Sequence, residues 1–322
     1  MERELTDRLP LPEMIVHGEL ELVKVTEAAA LAAGRLTGRG DQDRVKSVAA
    51  SAMLQSLEEL NLGGRVVLGP RGDGILSAGS IIGDGQAQLT EIGVYPVEGA
   101  SLVSRGLPNA ISMVVAGPLG SFPSLPAVAY LEKVVVGPAA RGAIDLDDPI
   151  ADNLRRVAFA RDCRVADLTV AILDRPRHQG LIEEIRAAGA RIFTLEDGDI
   201  TAALVAAAEW TGVDAMVGFG GFQEAIMAAA ALTCLGGDIQ CRLWPRNDEE
   251  RILAGEDGNR TYGTADLCLT EVAIAITGIT GGSLVGPIRY GGGWAETQSL
   301  ILGGHSRTIR RVTTRHQFPS PG

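Results

Sequence analysis

Hydrophobic and polar positions along the chain change period several times, and those changes predict the elements. Residues 1–20 are mixed and Pro-containing, which predicts a poorly fixed arm. From Thr26–Glu27 an Ala-rich run, EAAALAAGRL, reads as a helix ending at TGRGD (37–41). Val45, Val48, Ala49, Ala52, Met53 and Leu57 recur at three- and four-residue spacing, so 44–60 is predicted as a second helix. Short apolar runs then predict strands at 65–69, 89–95, 109–117 and 130–137, with a Gly-rich loop at 69–79 and a Pro-rich loop at 118–126. Pro96 is expected to turn the chain after the 89–95 strand.

Beyond a composition change at 137–153, strand and helix patterns alternate. Strands are predicted at 167–174, 191–195 and 214–221, and helices at 180–189, 200–208 and 224–236. A less regular segment, 242–263, precedes strands at 271–279, 299–304 and 306–312. The expected division is an arm (1–20), an N-terminal half (21–150), an α/β half (151–315) and a tail (316–322).

Composition narrows the choice of partner. The 322 residues carry a net charge of -11, which argues against nucleic acid and anionic membrane but leaves room for a small phosphorylated ligand met by a few arginines. Aromatics are 4% and Gly is 41 residues, so the core must come mainly from Ala, Val, Leu and Ile. Cys163, Cys234, Cys241 and Cys268 show no C-x-x-C spacing and read as reduced thiols. The acidic start lacks an apolar leader, and no apolar run reaches about 18 residues. A cytoplasmic protein is expected. GFGGFQE (218–224) lacks both the G-x-G-x-x-G spacing and a Walker lysine, so no nucleotide cofactor is expected. G-x-S-x-G is absent, and His17, His178, His305 and His316 are scattered.

The stretch IGVYPVEGA (92–100) resembles the D-P-[IL]-[DE]-G-[ST] element of Mg-dependent, lithium-sensitive sugar phosphatases. Further stretches, in the same order, resemble the class II fructose-1,6-bisphosphatases: VTEAAALA…GRGD (25–41), GPAARGAIDLDDPIADNLRRVA (137–158), LDRPRHQGLIEEI (173–185), EDGDI (196–200), GFGGFQEA (218–225), TGIT (277–280) and SRTIRRV (306–312). The resemblance spans about 20–315 and implies a layered αβαβα sugar-phosphatase fold with two mixed-sheet halves. It also implies a homo-oligomer (dimer or tetramer), and Mg²⁺- or Mn²⁺-dependent removal of the 1-phosphate of fructose 1,6-bisphosphate.

Hard cations need clustered carboxylates that can bridge phosphate and water. By resemblance, Asp41, Glu98 and Glu224 match metal ligands. Asp41 alternatively reads as a helix cap, and Glu98 and Glu224 as carboxylates at helix starts. Tyr95 stands at the family's Asp position, Ala100 at its hydroxyl position, and Pro70–Arg71 where it carries a glutamate loop. The substrate side is matched by Glu98, Gly99, Ala100, Tyr130, Arg175, Arg177, Asp197 and Asp199, the arginines being suited to phosphate. His178 reads as a structural histidine.

Three functions follow from this pattern. One is a homologue that binds a phosphorylated sugar with Mg-dependent hydrolysis lost or impaired. Another is an enzyme of altered chemistry on a sugar phosphate. The third is an active phosphatase in which Asp73, Asp84 or Glu91 supply ligands.

Overall fold

The computed structural model describes residues 19–60, 63–70, 74–83, 90–126 and 128–318. The expected arm lies outside them except for Glu19 and Leu20, as does the end of the tail beyond Phe318. Helices α1 (Leu22–Gly34) and α2 (Gln42–Glu59) come first. They are followed by strands β1 (Gly64–Leu68), β2 (Ile81–Ile82) and β3 (Thr90–Glu98), helix α3 (Ala100–Arg105) and strand β4 (Ile111–Pro118). Next are β5 (Tyr130–Val136), α4 (Ile150–Ala160), β6 (Thr169–Leu173), α5 (Gln179–Ala187) and β7 (Arg191–Leu195). Then come α6 (Asp199–Ala207), β8 (Ala215–Gly221), α7 (Phe222–Leu235) and β9 (Asp238–Leu243). The chain closes with α8 (Asp248–Ala254), β10 (Thr261–Gly263), α9 (Thr264–Leu267), β11 (Ala273–Gly278), β12 (Arg289–Gly291), β13 (Trp294–Gly303) and β14 (Thr308–Gln317).

These strands form two mixed sheets. The eight-stranded sheet runs β12-β13-β11-β4-β3-β1-β2, with β14 also on β13, and the six-stranded sheet runs β10-β9-β5-β8-β6-β7. Each is part parallel: β1 with β3 in the first, β6 with β7 and β8 in the second. Side-chain alternation sorts the apolar residues into three cores. In β4, Val114 and Ala116 face α1 and α2, while Met113 and Val115 face the layer between the sheets. In β5, Val134 and Val136 face α4 and α5, while Leu131 and Val135 face inward. Helices α6 and α7 fill that middle layer, which completes the expected αβαβα order.

The middle helices are built of small residues because both of their faces are covered. In α7 the run Ala228–Ala231 is wholly buried, as are Ala202 and Ala203 in α6. Gly93 of β3 takes the same economy further, since a Cβ there would stand 2.7 Å from Met227 Sδ of α7. The strand and the helix therefore lie close together, which brings Tyr95, two residues along β3, level with Glu224, one turn back along α7.

Several expected boundaries move. Helix α1 begins at Leu22 rather than at Thr26. Pro96 does not end its strand: β3 continues to Glu98 through a register shift between Tyr95 and Glu98. A proline has no N–H for the ladder and fits at such a bulge. Helices α3 and α4 and the first half of β13 have no counterpart in the expected elements. The 242–263 segment contains α8 and β10. The sheets also divide the chain differently from the 150 boundary: β5 lies in the second sheet and β11–β14 in the first.

No helix among the described residues is long and apolar enough to cross a membrane. Because Ala229 is fully buried between two sheets, Ala229→Leu is expected to destabilise the fold by about 1–3 kcal/mol through overpacking. A lowered urea midpoint with an unchanged m value would show this.

Candidate active site

One end of the second sheet gathers most of the residues singled out in the sequence. Parallel strands β6, β7 and β8 finish there and run into Arg175–His178, Glu196–Asp199 and Gly220–Glu224. Strand β5 is antiparallel to β8, so its first residue, Tyr130, lies opposite Gly221 at the same end. The last residue of β9, Leu243, pairs with Leu131, and Trp244 and Arg246 follow from it. A crevice beyond the carboxyl ends of parallel strands is the usual ligand position in open α/β sheets.

Arginines and aromatics make one half of this end. The Arg246 guanidinium lies 4.6 Å from the centroid of the Tyr130 ring, and that of Arg177 lies 5.7 Å from it. Arg177 donates from Nη2 to the Phe219 carbonyl at 2.9 Å. Phe219 and Trp244 lie alongside, their rings tilted by 32° with centroids 4.6 Å apart. His178 is buried; its Nδ1 donates to the Leu173 carbonyl at 2.7 Å, and its Nε2 accepts from Phe219 N–H at 2.9 Å. Burial lowers its pKa, so this imidazole is neutral and its role is structural, as expected. Arg246 was not singled out in the sequence because it falls in the segment that seemed irregular.

The DGD turn bridges the two sheets. Asp197 accepts from the hydroxyl of Ser101 in α3 and from Arg175 at 3.3 Å. Ser101 also went unnoticed: the expected hydroxyl position, Ala100, packs into the apolar core while its neighbour points at the turn. Arg105 pairs with Glu196 beside them. Asp199 is largely screened from solvent, its side chain 11% exposed. It pairs with Lys133, whose side chain is 0% exposed and which sits on the inward face of β5 between Leu131 and Val135. Read by its period of two, this strand could have shown a buried lysine in need of a carboxylate. The Oδ1 atom of Asp199 is buried without a partner.

Each expected metal ligand has a distinct occupation. Asp41 caps α2, accepting from Arg44 N–H at 2.9 Å. Its loop is laced to α3 by bonds from Gly38 and Gly40 N–H to Val103 and Ser104 carbonyls, each 2.8 Å. Glu98 does not cap its own helix. Its carboxyl is buried and spans to the start of α6, accepting from Ile200 N–H, from Thr201 N–H at 2.8 Å and from Thr201 Oγ1 at 2.6 Å. Glu224, in the first turn of α7, accepts from the Tyr95 hydroxyl at 2.6 Å, and its Oε2 is buried without a partner.

Among the described residues no group of three or more His, Cys, Asp and Glu side chains forms a metal-holding set. Of the alternative ligands, Glu91 accepts from Phe122 N–H at 3.2 Å, and Asp73 and Asp84 lie outside the described residues, as does Arg71.

Two groups in this region keep their protons to higher pH than usual. Burial, with Glu224, Glu98 and Asp199 nearby, pushes the Tyr95 phenol far above its ordinary range, so it donates to Glu224 at any working pH. Burial also pushes the Glu98 carboxyl up to about 8, against the hydrogen bonds from α6 and Thr201, which favour the charge. A proton on Oε2 can be given to Thr201 Oγ1, which then turns its own toward the Asn109 carbonyl at 3.3 Å.

The raised value sets the direction of a pH effect. The unfolded carboxyl loses its proton near 4.5 and the folded one near 8, so the fold binds more protons between these values. Stability conferred at acidic pH is therefore lost as pH rises through that window, on the order of a few kcal/mol. Glu98→Gln should flatten the dependence of the urea midpoint on pH between about 5 and 8. An unchanged slope would place the proton elsewhere.

Most of the chain matches known proteins of one kind. Residues 17–316 match the family model of bacterial fructose-1,6-bisphosphatase, glpX-encoded. A fructose-1,6-bisphosphatase 1 class 2 of Escherichia coli K12 is 36% identical over 318 residues, covering 92% of this chain and 94% of the relative. A fructose-1,6-bisphosphatase class 2 of Shigella flexneri gives the same figures. The chain belongs to the class II, glpX-type family of bacterial fructose-1,6-bisphosphatases.

Proposed function

We propose that this family member binds a phosphorylated sugar, a sugar bisphosphate such as fructose 1,6-bisphosphate being the reference ligand, at the carboxyl end of the second sheet. In this reading its metal-dependent hydrolysis of the 1-phosphate is lost or impaired. The observation that carries the proposal is the Tyr95–Glu224 hydrogen bond of 2.6 Å, which puts a permanently protonated phenol against a carboxylate that the family resemblance assigns to a cation. Glu98 adds to it, since both of its oxygens serve α6.

On the binding side, Arg175 and Arg177 offer guanidinium donors to phosphate, as does Arg246 through the N–H groups that its ion pair with Glu250 leaves over, with Tyr130 a ring wall and Asp197 an acceptor for a sugar hydroxyl. Gly99 and Ala100, which bring no reactive hydroxyl, open α3 just ahead of Ser101, the residue that reaches Asp197. Mg²⁺ or Mn²⁺ belongs to the family's chemistry, and the metal-side residues Asp41, Glu98 and Glu224 are in this reading weak or vacated ligands. A cytoplasmic homo-oligomer, dimer or tetramer, with neither nucleic-acid nor membrane partner, completes the proposal.

Calorimetry with fructose 1,6-bisphosphate and a phosphate-release assay with Mn²⁺ test the two halves separately. Saturable binding with background turnover is expected. Turnover at the rate of an active class 2 relative assayed alongside would overturn the loss, and absence of binding at millimolar ligand would overturn the pocket. Arg177→Ala and Arg246→Ala should each raise Kd about tenfold, the equivalent of ~1.4 kcal/mol. Tyr95→Asp alone should leave turnover at background, because Glu98 stays committed to α6 and Ala100 brings no hydroxyl. Turnover restored by that single substitution would contradict this account.

A further inference from the structure

Strand β14 closes one edge of the first sheet, and over its 10 residues it pairs with β13 alone among the described residues. An antiparallel strand sends its N–H and C=O groups alternately to either side, so half of those of β14 face outward with no strand beyond them. Many natural edges are shielded by charged side chains, and β14 carries Arg310, Arg311 and Arg315.

All three arginines turn back over the sheet instead. Arg310 donates to Glu19 at 3.1 Å, and that carboxylate lies where a side chain on Gly303 of β13 would stand. The Arg315 guanidinium lies 4.2 Å from the ring centroid of Trp294, also on β13. That of Arg311 lies 3.9 Å from the Trp210 ring, whose indole N–H donates to the Leu284 carbonyl, in the core shared with Leu300 and Leu302 of β13. On the other face, Thr297 of β13 joins Glu27 of α1 at 2.8 Å to His316 at 2.9 Å. The strand is thus anchored from both faces and its outer backbone is left open.

The sequence of β14 is also complementary to itself. Thr308, Ile309, Val312, Thr313 and Thr314 are good strand formers. In a two-fold antiparallel pair of identical edges, outward-facing residues must meet outward-facing residues, so the axis passes through a residue pair rather than between two. An axis at Val312 sets Arg310 opposite Thr314, Arg311 opposite Thr313 and Arg315 opposite Ile309. The next positions on either side fail: an axis at Arg311 sets that residue against its own copy, and one at Thr313 sets Arg311 against Arg315.

We propose that β14 pairs with β14 of a second copy about a two-fold axis at Val312, which joins the first sheets of two protomers edge to edge. The inference rests on the homo-oligomer of the proposed function and assigns it an interface.

Analytical ultracentrifugation of the full-length protein tests it. Thr313 is exposed on the face opposite the α1 side. Thr313→Glu places a carboxylate opposite Arg311 of the second copy, twice per dimer, and should lower the dimer Kd about tenfold. Thr313→Arg should raise it by about the same factor, both effects shrinking at high salt. Neither should move the thermal midpoint by more than about 2 °C. Adjacent residues send their N–H groups to opposite sides, so of Thr313→Pro and Thr314→Pro one should be a folded monomer and the other a less stable protein.

An oligomer whose Kd ignores both charges at Thr313, or whose folded proline variant still dimerises, would overturn the edge pairing and leave the homo-oligomer reading in place. Sedimentation as a monomer at every concentration would overturn both. Amide hydrogen exchange identifies any other occupant. Outer amides of β14 protected in the monomer would mean that another segment, residues 1–18 included, covers the strand, and the proposal would fall.

Discussion

The buried carboxyl of Glu98 joins the two sheets, and the geometry of the site depends on it. It stands at the end of β3 in the first sheet and takes up the opening N–H groups of α6, a helix that follows a strand of the second. Those N–H groups have no partner within their own helix. A carboxyl from elsewhere in the chain satisfies them and fixes where α6 begins. Asp199, the first residue of α6, is thereby held beside Lys133, and Asp197, two residues earlier, beside Ser101 and Arg175. Moving Glu98 would shift the DGD turn and the basic edge together.

The middle layer sets a second constraint. Two sheets can share helices only if those helices are thin on both sides, and the alanine runs of α6 and α7 meet that requirement. Close approach has a chemical consequence as well as a packing one. The same contact that seats Met227 against Gly93 carries Glu224 to the Tyr95 hydroxyl. A side chain that would otherwise face an open cleft is held at one oxygen by a phenol that keeps its proton.

Much of this was legible in the sequence, because elements with a clear period declare themselves. The α2 helix, the alternating β6–α7 segment and the αβαβα order follow from hydrophobic spacing and family resemblance. Elements without an apolar run were not legible. The first half of β13, WAETQ, alternates around polar residues, and α8, DEERILA, looks like a charged loop. In the site, residue types were legible but their partners were not. Asp197, Asp199 and Glu98 read alike as polar groups for a ligand. Only the fold separates the turn that faces Ser101 and Arg175 from the ion pair with Lys133 and from the cap on α6. Lys133 and Ser101 were passed over because one lies within a strand and the other next to a position already marked by resemblance. Arg246 was hidden in a segment without period.

At Tyr95, where the family resemblance calls for an Asp, the phenol has consequences beyond a missing contact. A shorter neutral residue there would leave both oxygens of the half-buried Glu224 unpaired, a cost that favours either a metal or a proton. The phenol reaches one of these oxygens and supplies a proton that it cannot lose in any working pH range. It therefore stabilises the carboxylate without the neutralising charge that a divalent cation would bring. What remains is a negative group, half satisfied, under apolar walls. Such a group is unsuited to a phosphate, whereas arginines like those at the end of the second sheet have the opposite preference.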